Sequence, residues 1–572
     1  MPENPFLFFA LQMFSIHSFT FYKYARVKYP PNVKMHAMAF ELRDKDLLGR
    51  IGKLKTKRGT VETPVYMPVV NPMKQKISPR RMRQEFNCDI VITNSYILKK
   101  NFEEDIIDVH SLLDYDGVIA TDSGAYQILV YGDVEATPDE IIKYQQSIGS
   151  DIAVILDIPT GWDVPRQKVM WTVEETLKRA RAALPLIQGD DILWVGPVQG
   201  GAHLDLVERS AKEIGKMPFP IHALGSPTEV MENYQFPVLV DMIMTAKQNL
   251  PYDRPLHLFG AGHPMMFSLA VALGCDMFDS AAYALYAKAE RYLTPLGTRR
   301  LEALRYLPCT CPVCRNHDAD ELKGMLKGER IRLLTEHNLH VCMAEIDTIK
   351  QAITEGTLWE LIEARSRAHP SLTSALKRLH RYRETLERHS PQFKGRGVFF
   401  FGPEGLARPA VTRHLWRLET NYSPSTKTGR LLLVSAPDIR PYTKTRQHSL
   451  LKDIFSEMEA GERIDLCYYA APFGVVPEEL AETYPLSQFK TVEPLDHETL
   501  EFTAENVARF VSSSGYSEVI LHAGASPLDN HVIDACTRAC EMEGKKLTVI
   551  TGLKQWNVRV VGRLVDALSS PE

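Results

Sequence analysis

A cluster of three cysteines and one histidine forms a metal-binding pattern in the second half of the chain. The cysteines stand within six residues of one another, and the histidine follows the last of them after 22 residues. The candidate ligands are Cys309, Cys311, Cys314 and His337. Three thiolates and one imidazole complete a tetrahedral zinc site, and four protein ligands make that site a closed, structural one. The pattern predicts one structural Zn2+ per chain, with His317 and His340 as competitors for the histidine position.

Two aspartates, Asp122 and Asp279, each follow a short apolar run and precede a small residue. Two carboxylates that face one pocket suit a displacement at a sugar C1′, because one can attack while the other moves or holds a proton. A retaining glycosidase would use the same pair, and strand-end aspartates also cap the helices that follow them. The two residues alone leave these alternatives open.

A second set of polar and small residues stands at similar positions. Asp157 offers an acceptor and Gln199 offers a donor and an acceptor, which suit the edge of a flat heterocycle. The glycines of this set are Gly200, Gly201, Gly225 and Gly262. Because a glycine lets the backbone approach a ligand closely, we expect these residues to line a pocket for such a ring.

One repeated pattern of elements positions all of these residues. From Gly49 to about Ala287, a short β-branched run ends in a polar residue and a glycine or proline, and a longer amphipathic stretch follows. The runs are Asp89–Thr93, Gly117–Ala120, Ile152–Leu156, Leu193–Val198, Pro220–Leu224, Leu256–Phe259 and Met277-Phe278. Seven or eight such units over roughly 250 residues predict a (β/α)8 barrel of the TIM type. The active site of such a barrel lies at the C-terminal ends of its strands, where these polar residues would meet.

The sequence changes character after the barrel. Helical sequence follows the cysteine cluster to about residue 390, and its segment Arg365–Arg396 holds nine Lys/Arg against two Glu, which indicates a nucleic-acid contact. The alternation of strands and helices returns at Arg430. We therefore predict an α/β protein in four parts. They are an N-terminal extension (1–37), a barrel with the zinc module (38–345), a helical, basic connection (346–428) and a small α/β C-terminal domain (429–572).

Composition limits the class of protein. The chain has 572 residues, of which 44% are hydrophobic and 24% charged, and its net charge is -4. These values exclude a polytopic membrane protein and a low-complexity chain, and they make any nucleic-acid site a local one. The nine cysteines are an odd number, and their clustering favours a reducing compartment over a disulfide framework. We therefore expect a cytoplasmic protein with no membrane partner.

Several motifs together resemble one known family. They are Thr121–Gln127 (TDSGAYQ), Leu156–Thr160 (LDIPT), His257–Pro264 (HLFGAGHP), Phe278–Ala281 (FDSA), Cys309–Cys314 (CTCPVC) and Leu334–Leu339 (LTEHNL). They resemble the motifs of the tRNA-guanine transglycosylases, and specifically those of the archaeal enzymes. The likeness covers about residues 38–420.

The resemblance implies that guanine at position 15 of the tRNA D-loop is exchanged for 7-cyano-7-deazaguanine (preQ0), on the way to archaeosine. It makes Asp279 the nucleophile of a covalent ribosyl intermediate, and Asp122 the partner carboxylate that contacts the base and handles its proton. The matching base-recognition residues are Asp157, Gln199, Gly225 and Ser226, and the matching zinc ligands are Cys309, Cys311, Cys314 and His337. A homodimer without an organic cofactor is also implied.

The C-terminal part departs from the pattern of this family, whose members often end in a PUA RNA-binding domain. Residues 429–572 instead resemble the α/β domain of archaeosine synthase. A reactive cysteine and lysine of that enzyme are replaced here by Ala436 and Arg440, and arginine does not release a proton to act as a nucleophile. A synthase-like paralogue and a non-catalytic tRNA-binding protein remain the alternatives to a transglycosylase.

Overall fold

The computed structural model describes residues 39–102, 108–125, 136–424, 429–458, 464–552 and 558–569. The predicted extension at 1–37 lies outside these residues, and so do Tyr126 and Gln127 of the motif around Asp122. Among the helices so described, none has the length and apolar character needed to cross a membrane.

The strands and helices alternate over most of the chain. The strands are β1 (Phe40–Asp46), β2 (Gly49–Lys55), β3 (Thr60–Thr63), β4 (Val65–Pro68), β5 (Ile90–Asn94), β6 (Val118–Asp122), β7 (Ile152–Val154), β8 (Leu193–Val198), β9 (Ile221–Leu224), β10 (Leu256–Leu258), β11 (Met277–Ser280), β12 (Arg291–Thr294), β13 (Gly297–Arg300), β14 (Val398–Phe400), β15 (Arg430–Ser435), β16 (Asp465–Ala470), β17 (Gly474–Pro477), β18 (Phe489–Thr491), β19 (Glu518–Ala523) and β20 (Lys546–Thr551). The α-helices are Pro79–Phe86, Ser95–Asn101, Val109–Leu113, Pro138–Ser147, Arg166–Ile187, Leu204–Gly215, Thr228–Glu232, Phe236–Asn249, Phe267–Ala272, Ala282–Lys288, Pro312–Asn316, Ala319–Gly324, Lys327–Glu355, Leu358–Ser366, Pro370–Arg378, Arg383–His389, Pro409–Asn421, Arg446–Glu457, His497–Ser513, Pro527–Glu543 and Val558–Ser569.

Eight parallel strands form the barrel, in the order β4-β11-β10-β9-β8-β7-β6-β5. A bridge between Val69, which follows β4, and Ile92 of β5 brings the two ends of the sheet together. The predicted TIM-like barrel is therefore confirmed. Strand β4 is absent from the predicted runs because it has four residues, ends at Pro68 and directly follows Pro64.

Both faces of the barrel strands are buried, which is why these strands are apolar runs in the sequence. In β5, Ile90 and Ile92 belong to a cluster built from the alternate residues of the strands, inside the barrel. Val91, between them, belongs to the larger cluster that includes the surrounding helices. The antiparallel sheet β1–β3 adds Leu54 and Val61 to the inner cluster, at the N-terminal end of the barrel.

A buried ion pair fastens this end of the barrel. The guanidinium of Arg50 donates to both carboxylate oxygens of Asp276 at 2.8 Å, and to the carbonyl oxygens of Tyr252 and Arg254. Asp276 also accepts a hydrogen bond from the Leu256 amide at 2.8 Å. The pair joins β2 to β10 and β11, so it fixes strands that are distant in the sequence.

The connecting helices pack along the barrel helix Phe236–Asn249. Arg378 donates to Asp241 near the middle of that helix, and Thr385 accepts from Gln248 near its end. Much of the basic segment Arg365–Arg396 is paired in this way with acidic residues of the same chain, as in Arg378–Asp241, Arg365–Glu345, Arg396–Glu355 and Lys394–Asp46. The exposed arginines of the segment that the structure describes without an acidic partner within ion-pair distance are Arg381, Arg383 and Arg388.

A separate α/β region follows, as the sequence predicted. Its sheet has the order β17-β16-β15-β19-β20, and only the edge strand β17 is antiparallel to its neighbour. Apolar clusters cover both faces of this sheet. A parallel pair, β14 with β18, lies beside it and was not apparent in the sequence, because each strand has three residues.

We predict that Asp276→Asn lowers the free energy of unfolding by about 3–5 kcal/mol, because it leaves the buried Arg50 guanidinium without its counter-charge. Urea unfolding measures this value. Asp205→Asn breaks an exposed pair with Arg166 and should cost at most about 1 kcal/mol. Equal losses in the two variants would contradict the structural importance of the Arg50–Asp276 pair.

Candidate active site

The two candidate carboxylates lie at the C-terminal end of the barrel. Asp122 is the last residue of β6, and Asp279 is the third residue of β11. The pKa of the Asp122 carboxyl is raised to about 7, first by burial and then by the negative charges of Asp279 and Asp157. Asp279 and Asp157 are therefore near enough to Asp122 for their charges to act on it, and all three follow or end barrel strands, as predicted.

One oxygen of Asp279 is held by two donors. Nε2 of His257 lies 2.8 Å from Oδ1, and the Gly260 amide donates to the same atom at 2.9 Å. The His257 side chain is 2% exposed and that of Asp279 is 16% exposed, so the pair is shielded but the carboxylate stays accessible. These two contacts fix the orientation of the carboxylate through Oδ1 and do not involve Oδ2.

The loop that supplies the Gly260 amide depends on glycine at this position. Gly260 has a φ of +67°, in the left-handed region, and an added Cβ would stand 2.4 Å from Oγ1 of Thr228. Any other residue would strain the backbone and collide with Thr228. The close contact also places the start of the helix Thr228–Glu232 beside the loop that holds Asp279.

Asp122 is held by the neighbouring strand. Nδ2 of Asn94, the last residue of β5, donates to Oδ2 of Asp122 at 3.0 Å, and Ser95 Oγ donates to the Asp122 carbonyl oxygen at 2.7 Å. The Gly124 amide adds a longer bond of 3.3 Å to the same carboxylate. Asn94 and His257 have no role in the sequence analysis, although Asn94 directly follows one predicted strand and His257 lies within another, because their partners belong to other strands.

The candidate base-recognition residues form one connected chain. Gln199 Nε2 donates to Asp157 Oδ2 at 2.5 Å, and Gln199 Oε1 accepts from Ser226 Oγ at 2.7 Å. The Thr160 amide donates to Ser226 Oγ at 2.7 Å. Burial raises the pKa of Asp157 to about 6, although the Gln199 hydrogen bond lowers it. The loops after β7, β8 and β9 are thus fixed to one another around polar groups.

Gly225 and Ser226 show why small residues stand in this loop. A Cβ on Gly225 would lie 2.2 Å from Gln199 Nε2, so any larger residue would displace the amide. Ser226 has a φ of +65°, a conformation that favours glycine. Its hydroxyl bonds to Gln199 and Thr160 hold it there. The further glycines of the predicted set also follow barrel strands: Gly200 and Gly201 after β8, and Gly262 after β10.

The four predicted zinc ligands come together beyond the barrel. Their ligand atoms all lie within 4.8 Å of one another. Nδ1 of His337 is 3.5 Å from Cys311 Sγ and 3.4 Å from Cys314 Sγ, and the two sulfurs are 3.6 Å apart. Zn–S bonds of about 2.3 Å place tetrahedral ligands a little under 4 Å apart, so the cluster is compatible with one zinc ion.

Contacts with neighbouring residues orient the imidazole of His337 for metal binding. Its Nε2 donates to the Leu293 carbonyl oxygen at 2.9 Å, which leaves the lone pair of Nδ1 for a metal, and Tyr292 stacks on its face at 3.7 Å. Such a partner on the second nitrogen is usual for a metal-bound histidine. The competing histidines are engaged elsewhere: His317 lies 3.7 Å from Glu321, and His340 contacts the Phe86 ring. The geometry therefore favours His337.

Ala436 and Arg440, which the sequence analysis compared with a reactive cysteine and lysine, lie in the segment after β15. Ala436 directly follows β15 and is buried. The guanidinium of Arg440 lies 3.9 Å from the centre of the Phe489 ring, where it makes a cation–π contact. These contacts give Ala436 and Arg440 packing roles.

Comparisons with known proteins find relatives of both the barrel and the C-terminal region. Residues 45–371 match the family model described as queuine tRNA-ribosyltransferase, and residues 411–556 match a domain of unknown function, DUF5591. The tRNA-guanine(15) transglycosylase of Pyrobaculum aerophilum is 44% identical over 79% of this chain and 90% of its own length. That of Aeropyrum pernix is 49% identical over 65% and 74%, and that of Methanosarcina acetivorans is 44% identical over 82% and 91%.

We predict that His337→Ala removes the bound metal and lowers the melting temperature, because binding to a closed site contributes directly to folding. Metal analysis of the purified protein, with thermal unfolding, measures both. His317→Ala is the matched control and should retain one zinc per chain. Full zinc content in His337→Ala would refute the assigned ligand set.

We predict that Asp122→Asn gains stability relative to the wild type as the pH rises from 4 to 8. An unfolded aspartate ionises near pH 3.9, and folded Asp122 near 7. Between these values the folded wild type keeps a proton that the unfolded chain has lost, so its stability falls as the pH rises. Asparagine has no such dependence, and the difference should reach at most about 4 kcal/mol.

Thermal or urea unfolding at pH 4, 6 and 8 measures the difference for Asp122. Asp163 is an exposed aspartate in the segment that follows the barrel strand β7. The variant Asp163→Asn removes its carboxylate and serves as the control. A pH-independent difference between wild type and Asp122→Asn would show that Asp122 is not held protonated near neutrality.

Proposed function

Because the chain belongs to the queuine tRNA-ribosyltransferase family, we propose that it is a tRNA-guanine transglycosylase. Its reaction would exchange guanine at position 15 of the tRNA D-loop for 7-cyano-7-deazaguanine. The observation that carries the proposal is the pair of carboxylates in one pocket, one fixed by two donors and the other with a pKa of about 7. The names of the archaeal relatives give the same target position.

Asp279 would act as the nucleophile. Its Oδ2 attacks C1′ of the target nucleotide, and the bond from C1′ to N9 of guanine breaks with its electron pair remaining on the base. His257 and the Gly260 amide hold Oδ1, so the carboxylate plane is set before the substrate arrives. His257 is a positioning residue in this scheme, because it acts through Asp279.

Asp122 would carry the proton. With a pKa of about 7 it exists in both forms at neutral pH, which suits a group that works as an acid and then as a base. Protonated Asp122 donates to the departing guanine. The resulting carboxylate then accepts the N9 proton of the incoming base, whose N9 attacks C1′ as the ester bond to Asp279 breaks. Charges and electrons balance over the cycle, and no oxidant or energy source is consumed.

The linked set of Asp157, Gln199, Gly225 and Ser226 would recognise the base. Guanine and 7-cyano-7-deazaguanine share an edge with N–H donors and a carbonyl acceptor. Asp157 can accept from the donors, and the amide of Gln199 is held in one orientation by Asp157 and Ser226. Gly225 keeps the backbone side of this edge open. The same pocket can therefore receive the two bases one after the other.

Zinc would serve the fold. The four candidate ligands would fill a tetrahedral site, which would leave no position for a substrate. The ion would hold the segment Cys309–Cys314 against the helix that carries His337. The alternatives differ in the assay below: a non-catalytic tRNA-binding protein would exchange no base, and a synthase-like paralogue would modify the nitrile without releasing guanine.

We predict that the protein incorporates radiolabelled guanine into unmodified tRNA, and that 7-cyano-7-deazaguanine displaces the label. Asp279→Asn keeps the shape of the side chain but removes the attacking carboxylate, so exchange should fall by at least about 1000-fold. Wild type should form an enzyme–RNA adduct that resists denaturation, and the variant should not. Asp163→Asn is the matched control and should exchange normally.

The same radiolabel assay also tests each part of the proposal separately. Exchange of guanine without displacement by 7-cyano-7-deazaguanine would overturn only the proposed second base. Full exchange by Asp279→Asn would overturn the role of Asp279, and absence of exchange in the wild type would overturn the proposed reaction.

A further inference from the structure

Tyr234 presents half of its side chain to solvent on the catalytic side of the barrel. It is 50% exposed and lies between the helices Thr228–Glu232 and Phe236–Asn249. This connection follows the carboxyl end of β9, so it belongs to the same end of the barrel as the candidate active site. Exposure alone is common for single aromatic residues, so the contacts and the backbone of Tyr234 decide whether the ring is a binding feature.

Contacts from a distant segment hold the ring in place. The imidazole of His369 stacks on Tyr234 with 4.6 Å between ring centres and an interplanar angle of 26°, and Phe236 meets it edge-on at 6.0 Å. Ser371 Oγ donates to the Tyr234 carbonyl oxygen, and Nδ1 of His369 accepts from the Ser371 amide at 3.1 Å. One face of the tyrosine is therefore covered by the connecting segment, and its orientation is fixed.

The backbone at Tyr234 is strained. Its φ is +54°, in the left-handed region that is unfavourable for a residue with a large side chain. Such strain persists only where the surrounding contacts impose it, and it is concentrated at functional sites. A glycine or asparagine would fit this turn at lower cost, so the folding of the loop alone does not account for a tyrosine.

A short segment of chain connects Tyr234 to the loop that holds Asp279. Thr228 contacts Gly260, whose amide holds Asp279. The five-residue helix that begins at Thr228 is about 7.5 Å long, and Tyr234 follows it by two residues. Stacked bases of one strand are about 3.4 Å apart, so a helix of this length spans about two nucleotide steps.

Other groups that are suited to RNA binding lie on the same side of the barrel as Tyr234. The pKa of Tyr286 is raised by burial and next by Tyr234, which places the two phenols near each other. The guanidinium of Arg291 lies 6.0 Å from the Tyr286 ring centre and can bind a phosphate of the RNA backbone. Aromatic rings and cations together bind unpaired nucleotides, and the carboxylate of Glu232 is also near enough to raise the pKa of Tyr286.

We propose that Tyr234, supported by His369, is a stacking subsite for an unpaired base of the tRNA, a few nucleotides from the one that is exchanged. The proposal rests on the proposed function, since it takes tRNA as the substrate. A nucleotide that reacts at C1′ inside a barrel must turn its base out of the stack of bases. Each neighbouring base in the strand then loses a stacking partner as well. In this proposal the Tyr234 ring stacks on one of these neighbouring bases in place of the base that was turned out. The left-handed backbone at Tyr234 sets the direction of the ring toward that neighbouring base.

The test compares ring-removing and ring-keeping variants in guanine exchange. Tyr234→Asn removes the ring but tolerates the positive φ, so its melting temperature should equal or exceed that of the wild type. Its KM for tRNA should rise about 5- to 150-fold, the range for loss of one base–aromatic stack, while saturation by free guanine stays the same. Tyr234→Phe should behave as the wild type, and His369→Ala should show a smaller rise. Trp416→Ala removes an equally exposed ring elsewhere and is the control.

A second set of substrates identifies the base. Transcripts that each carry one abasic residue in the D-loop, at a position other than the target, are assayed with wild type and Tyr234→Asn. One abasic position should raise KM for the wild type and have no further effect in the variant, because both changes remove the same contact.

Three outcomes would overturn the subsite while exchange by the wild type continues, and the first two concern Tyr234→Asn and the abasic substrates. They are an unchanged KM in Tyr234→Asn, and additive effects at every abasic position. An equal rise in Tyr234→Phe would also overturn it, since the hydroxyl rather than the ring would then be responsible. Absence of exchange by the wild type would instead overturn the proposed function, so the two failures are distinguishable.

Discussion

The buried ion pair between Arg50 and Asp276 determines where strand β11 stands, and the candidate active site depends on that strand. The Asp276 amide donates to the Leu256 carbonyl oxygen at 2.8 Å, and its own carbonyl oxygen accepts from Val65 at 3.0 Å. Asp279 follows three residues later, about 10 Å along the strand. Because successive side chains of a strand point to opposite faces, a slip of one residue would turn Asp279 out of the pocket.

The predicted zinc module is connected to the same strand. The helix Ala282–Lys288 follows β11 directly and packs against the helix Lys327–Glu355, which carries His337. Next to that histidine, Asn338 donates to the carbonyl oxygens of Tyr283 and Arg291 and accepts from the Leu293 amide. The metal ligands and the segment after Asp279 therefore share one set of hydrogen bonds. A structural ion outside the barrel can in this way support the geometry of the pocket.

Local patterns explain what could be predicted from the sequence. Strands buried on both faces are continuous apolar runs, and the cysteine spacing is local, so the barrel and the metal cluster could be predicted. His257 and Asn94 could not, because they act on partners 22 and 28 residues away that only the sheet brings near. The helix Lys327–Glu355 runs through the predicted domain boundary at residue 345, since one helix serves both the zinc module and the connection. The domain division thus stays a prediction.

Asp46, the last residue of β1, pairs with groups that are synthesised much later. Its carboxylate accepts from the Leu358 amide at 3.1 Å and lies 2.7 Å from Lys394 Nζ. At about 5–20 residues per second on the ribosome, the roughly 350 residues between Asp46 and Lys394 take about 20–70 s to appear. During that interval the first strands of the barrel base are outside the exit tunnel without their counter-ion. Thus the first strand that the structure describes gains its ion pair only after the segment around Lys394 has been synthesised.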